Sequence, residues 1–147
     1  MFQIQSILCP IDLFEPAHDA FHLACSMASH HKARLFVMHV VPPALTYDKT
    51  ALLVWGEDAG AGQPSLEQRN ETLQEKLRQF AAPEPDVRVE YHVLDGDPAE
   101  TIIAFADKVK ADLIVMGTHG QTGLSRLMIG SVVEHVVREA HCPVLTV

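Results

Sequence analysis

Apolar residues in this chain gather into five short runs, with helical stripes between them. Ser6-Ile7-Leu8-Cys9-Pro10-Ile11-Asp12 is the first run, and residues 34–41, ending His39-Val40-Val41 before Pro42-Pro43, are the second. Residues 87–94 alternate apolar and polar and stop at Asp95-Gly96-Asp97-Pro98. Residues 111–117 form the most continuous apolar run, and residues 143–147 close the sequence. Runs of this length suit strands covered on both faces, the condition of a parallel sheet. Between them, residues 16–30 place Ala17, Ala20, Phe21, Ala24, Met27 and Ala28 on one helical stripe. Residues 65–80 open with a capping box, Ser65 and Gln68, and repeat Leu66, Leu73, Leu77 and Phe80. Residues 98–109 follow Asp97 as N-cap with Pro98 in the first turn. Residues 131–140 stack Val132, Val133, Val136 and Val137.

Strand and helix therefore alternate and close on a fifth strand, the pattern of an α/β fold with helices on both faces of a parallel, Rossmann-like sheet. The 147 residues fit one domain, 1–147. In such sheets ligands settle beyond the carboxyl ends of the strands, where the winding reverses. One stretch breaks the alternation. Residues 42–64 are rich in Gly, Ala and Pro, hold the sole tryptophan, Trp55, and read as a loop over the site or a contact surface.

Charge narrows the partners. Nineteen acidic side chains against eleven basic ones give −8, and no Lys/Arg cluster is present to neutralise phosphates, so neither nucleic acid nor an anionic membrane surface is expected. No apolar run approaches a membrane span, and Met1 to Ser6 lacks the basic and apolar regions of a signal peptide. Cys9, Cys25 and Cys142 are odd in number and widely spaced, as thiols of a reducing compartment are. The expected location is the cytoplasm.

The chemistry-bearing segment is Gly117-Thr118-His119-Gly120-Gln121-Thr122-Gly123-Leu124-Ser125-Arg126-Leu127-Met128-Ile129-Gly130-Ser131. Gly117 and Gly120 let backbone approach a ligand closely. Gly130-Ser131 opens the last helix, whose free N–H groups favour an anion, and the Ser131 hydroxyl adds a hydrogen bond. Two readings stay open: a phosphate cradle, or a plain strand-to-helix connection capped by serine.

The spacing Gly117-x2-Gly120-x9-Gly130-Ser131 resembles the ATP-binding signature of the universal stress protein family. The similarity runs through Ile7 to Asp12, Met38-His39-Val40, Val115-Met116-Gly117 and Cys142-Pro143-Val144-Leu145, and so covers the whole chain. It implies an adenine nucleotide alpha hydrolase-like sheet of strand order 3-2-1-4-5 and the family's ATP-binding subgroup. Pro10 and Asp12 then match the end of the first strand, with the aspartate on the ribose, and Val40 matches the adenine contact. Gly117, His119, Gly120, Gly130, Ser131 and Val132 match the phosphate and ribose contacts. Phe14 departs from the family pattern, which often has serine there. A carboxylate at Asp12 accepts hydrogen bonds from two hydroxyls, although capping the following helix is its alternative role. Arg126 is the sole Lys or Arg in the 117–131 loop, so Mg2+, or Mn2+ in its place, is the expected companion of the triphosphate.

Other constellations carry less. His18 and His22 share a helix face without a third ligand, and His30-His31 serve the helix end. His39 reads as an interior strand residue with a satisfied ring, while His119 either stabilises charge or shapes the loop. Cys9 and Cys142 invite a thiol pair but lack a CxxC context and read as small core residues. Glu134-His135 does not complete HExxH, and Ser125 and Ser131 lack a nucleophile elbow.

The leading expectation is a nucleotide-responsive regulatory module with at most slow ATP hydrolysis. The resemblance implies a homodimer or higher homo-oligomer through the C-terminal edge strand, and a protein partner such as a membrane transporter. The alternative is an adenine-nucleotide hydrolase or transferase of the same fold. Against it stand the missing HxGH, SGGxDS and Walker motifs and the absence of a lysine in the phosphate loop. An FMN carrier of flavodoxin-like topology lacks its early Ser/Thr-rich loop.

Overall fold

Ser6, Ile7, Leu8 and Cys9 are all buried, so the first strand is covered on both faces and lies at the centre of a sheet. The computed structural model of the chain describes residues 1–13, 18–43, 65–118 and 130–147. Among them the elements run β1 (Ser6–Pro10), α1 (His18–His31), β2 (Arg34–Val41), α2 (Leu66–Phe80), β3 (Val89–Asp95), α3 (Pro98–Val109), β4 (Leu113–Met116), α4 (Ser131–Glu139) and β5 (Val144–Thr146). The sheet is parallel throughout, in the order β3-β2-β1-β4-β5. This matches the expected topology.

Strand alternation sorts the side chains into two cores. Ile7, Cys9, Leu35 and Val37 face α1 and α2, where Phe21, Ala24, Leu73 and Leu77 complete the first core. Leu8, Phe36, Met38 and Ile114 face α3 and α4 and pack on Ile102, Phe105, Val133 and Val136. The two helices that follow β1 and β2 thus lie on one face, and the two that follow β3 and β4 lie on the other. Cys9 belongs to the first core and Cys142 packs against the second, so the sheet separates them and no thiol pair forms. Cys9 instead neighbours Cys25, and burial pushes both thiols up.

Local signals set most boundaries. Ser65 accepts from the Gln68 amide and Gln68 returns a bond to the Ser65 amide, which makes the capping box. Asp97 accepts from the Glu100 amide, with Pro98 in the first turn. β1 ends at Pro10 rather than Asp12: the Ile11 amide still reaches the Met38 carbonyl at 2.8 Å, and the chain then leaves the sheet. β3 begins at Val89, because Val87 is still held in a turn by the Glu84 carbonyl at 3.0 Å.

The turn after β3 demands its glycine. Gly96 has φ +148, and a Cβ there would lie 2.5 Å from Thr101 Oγ1. Its amide donates to the Val41 carbonyl at 3.1 Å, which joins the ends of β2 and β3. Gly96→Ala is expected to cost about 1–3 kcal/mol in a urea denaturation series, the range for a residue forced into glycine-only backbone space.

Candidate functional site

Winding reverses between β1 and β4, because the chain leaves β1 toward α1 on one face and returns from β4 into α4 on the other. Such a switch point opens a crevice beyond the carboxyl ends of the two strands. Leu8 stands opposite Ile114, so the segments that leave after Pro10 and Met116 start side by side. Pro10 is half-buried at the end of β1, Asp12 is exposed two residues on, and Gly117 follows β4 directly. On β2, Val40 is buried in the second core at the same end of the sheet. Gly130 and Ser131 are exposed at the start of α4, and Val132 packs half-buried against the second core.

His39 holds the segment that carries Asp12. Its Nδ1 lies 3.0 Å from the Ile11 carbonyl, to which it donates in one tautomer. The same nitrogen lies 3.3 Å from the Leu13 amide, from which it accepts in the other. In either tautomer the buried ring fixes one neighbour of Asp12 to β2, Ile11 when Nδ1 carries the proton and Leu13 when it does not. Burial holds the His39 imidazole below its ordinary pKa, partly offset by the Ile11 carbonyl and the Asp12 charge. A neutral native imidazole means that the unfolded chain takes up more protons between the depressed value and about 6.5. Stability should accordingly be full above that upper limit and fall as pH drops through the window. Urea midpoints at pH 7.5 and pH 5 measure this, and His39→Gln should flatten the difference.

Sequence reasoning assigned His39 to the interior without the backbone contacts that make it a clamp. The signal was its place one residue before Val40, at the end of β2 next to β1.

On the other side of the crevice, the Thr118 amide and hydroxyl both donate to the Val147 carbonyl at 2.8 Å. The Val147 amide returns to the Met116 carbonyl at 2.9 Å.

The glycines of the site differ from Gly96. Neither Gly117 nor Gly130 has a positive φ, and Gly130 sits at φ −58, ψ 150, which any residue adopts. Among the described residues, a Cβ on Gly130 would meet nothing within 4 Å, and one on Gly117 would only touch Ala20 Cβ at 3.9 Å. Neither backbone shape nor packing against these residues calls for glycine at either place. Gly130 is also the N-cap of α4, with Ser131 one position inside, and no side chain caps the helix. The serine-cap alternative therefore does not apply. His119, Gly120 and Arg126 lie outside the described residues, as do Phe14 and most of the 42–64 stretch.

Among the described residues, His18, His22, His30, His31, His135 and His141 are exposed, while His92 is half-buried with its ring centre 4.7 Å from that of Phe105. His18 stacks on Phe80 at 4.1 Å between ring centres and lies 5.8 Å from His22. Among the described residues no group of three metal-ligating side chains converges, and no helix is long and apolar enough to cross a membrane.

The universal stress protein family model matches residues 3–147. The chain belongs to this family. A universal stress protein of Methanocaldococcus jannaschii is 37% identical over 145 residues, covering 97% of this chain and 81% of that protein. The structure of the universal stress protein UspA from Lactobacillus plantarum superposes with a TM-score of 0.66 at 28% identity, over 100% of this chain and 99% of the other. Two more distant members of the universal stress protein fold were solved with nucleotides. One is a complex with cAMP (TM-score 0.61, 21% identity, 99% and 98% covered), the other an Archaeoglobus fulgidus protein with dAMP (TM-score 0.56, 20% identity, 99% and 98% covered).

Proposed function

We propose that this universal stress protein binds ATP in the crevice between β1 and β4 and acts as a nucleotide-responsive regulatory module. The observation that carries the reading is the pair Gly117 and Gly130, whose missing side chains the described residues do not account for. A phosphate chain lying against both backbones accounts for them. Asp12, whose neighbouring backbone His39 holds, takes the ribose hydroxyls, and Pro10 and Val40 stand on the adenine side. Ser131 and Val132 follow Gly130 into the helix whose first-turn amides face the phosphates. His119, Gly120 and Arg126 complete the set in the segment between. The cAMP and dAMP complexes of the two fold relatives support an adenine nucleotide as the ligand class. Magnesium or manganese accompanies the triphosphate, held by phosphate and water rather than by a protein cage.

Hydrolysis is slow at most in this reading, since the signature supplies backbone amides and no positioned lysine. The regulatory output runs through association of copies, in the cytoplasm, on one domain spanning 1–147. β5 pairs only with β4 among the described strands, and Leu145, Val147 and the nearby Val137 on α4 expose apolar surface along that edge. An exposed apolar edge strand calls for cover, and pairing across a two-fold axis provides it. A transporter's cytoplasmic face is the proposed class of further partner.

Calorimetric titration with ATP, AMP and GTP in magnesium tests the site. Saturable ATP binding with weaker GTP binding is expected. No heat with any adenine nucleotide would reduce the glycine signature to a connection.

A further inference from the structure

We propose that His39 is a positioning residue for ribose recognition, and that a proton gained by its ring moves Asp12 away from the sugar. The inference rests on the nucleotide reading above and adds to it a dependence of sugar recognition on pH.

The geometry is a competition for one nitrogen. His39 Nδ1 lies 3.0 Å from the Ile11 carbonyl and 3.3 Å from the Leu13 amide, the two groups that flank Asp12 in the chain. The ring is 1% exposed, and Ile11 and Leu13 are both buried. In the neutral ring the proton sits on either nitrogen, so both bonds stay within reach in turn. An imidazolium carries a proton on each nitrogen and can only donate. It keeps the Ile11 carbonyl and meets the Leu13 N–H with a proton of its own. A buried amide set against another donor is costly, so the chain at Asp12 and Leu13 must shift to relieve it.

Charge pushes the same way. The Asp12 carboxylate already acts on the ring, and a positive ring draws it toward β2 and away from hydroxyls in the crevice. The other titratable groups around His39 do not take that place. The ring stands opposite Val93 of β3 and shares the side of Val37 and Val41, toward α1 and α2. On that side β3 carries Asp95, which accepts from Arg69 of α2 at 2.7 and 2.8 Å, and Tyr91, whose hydroxyl donates to the Ala81 carbonyl. Beyond Arg69, α2 turns Leu73 and Leu77 to the sheet. From α1 come the exposed His18 and His22, lined up with Phe80, and Cys25, which like Cys9 of β1 is kept uncharged by burial. Among the described residues, Asp12 is the charge that answers a proton on His39.

Calorimetric affinities of ATP and of 2′,3′-dideoxy-ATP, in magnesium at pH 7.5 and pH 5.5, test this, with circular dichroism to show a native fold at both. The two ligands share base and triphosphate, so their affinity ratio cancels phosphate titration and reads the ribose hydroxyls alone. Hydrogen bonds to a charged carboxylate should make that ratio at least about tenfold at pH 7.5. At pH 5.5 it should fall by at least about threefold, the share of one such bond weakened. His39→Gln cannot titrate, so its ratio should be equal at the two pH values whatever its affinity. In the free protein, the amide NMR signals of Asp12 and Leu13 should move together with the His39 ring signal as pH falls. A parent ratio that ignores pH, the same pH dependence in His39→Gln, or amide signals that stay still while the ring titrates would each overturn the proposal and leave the nucleotide site standing. ATP bound with a ratio near one at pH 7.5 would take Asp12 off the ribose and overturn it too. No binding of either ligand at any pH would remove the nucleotide reading itself, and this inference with it.

Discussion

Gly130→Val is expected to abolish measurable ATP binding while the protein stays folded. A Cβ at this position meets no described residue within 4 Å, and φ −58, ψ 150 suits valine, so the backbone is not strained by the variant. Losing glycine at an N-cap costs stability on the order of 1 kcal/mol, a modest share of a domain's 5–15 kcal/mol. The branched side chain stands over the first-turn amides, where the proposed phosphates need backbone contact. Several charge-assisted hydrogen bonds at about 1.5–3 kcal/mol each are then lost together, which is a drop of at least about a hundredfold. Calorimetry reads the affinity, and a urea midpoint near the parent's shows that the loss is local. Unchanged ATP binding would remove Gly130 from the site, and with it the main support for a phosphate cradle there.

Phe21→Ala is expected to destabilise by about 3–5 kcal/mol, enough to approach the whole stability of a marginal domain. Phe21 is 2% exposed, the largest fully buried side chain among the described residues. It sits on α1 in the first core, where Ala20, Ala24 and Ala28 are too small to collapse into the space it leaves. Chemical denaturation measures the loss, and Phe21→Leu, which keeps most of the volume, should lose much less. A cost for the alanine variant below 1 kcal/mol would mean that α1 does not dock as described.

The strands were legible because burial on both faces writes a continuous apolar run, as in Ile7 to Cys9 and Leu113 to Met116. Ser65 and Asp97 marked their helices because capping is a local event, decided within three residues. The serine at 131 misled for the same reason: a serine before an apolar helix looks like a cap, and only the backbone shows Gly130 holding that position. The glycines of the site could be found by spacing, but spacing cannot tell Gly96, forced by φ and by Thr101, from Gly130, forced by neither. The hold of His39 on the Asp12 segment escaped as well. It depends on which atoms lie across a strand pair, and that is a property of register rather than of any one segment.

The bond between Thr118 and Val147 gives the fold an uneven rhythm of opening. β1 and β2, sealed on both faces, should show the slowest amide hydrogen exchange, near the global limit. β5, three residues long and partly exposed at the sheet's edge, should fray first. Thr118 hangs from the end of that strand through two hydrogen bonds to one carbonyl. The entrance to the glycine-rich segment is therefore hitched to the least protected ladder in the sheet, while the Asp12 side of the crevice is anchored to the most protected one. One wall of the crevice stands on the part of the fold that opens last, and the other on the part that opens first.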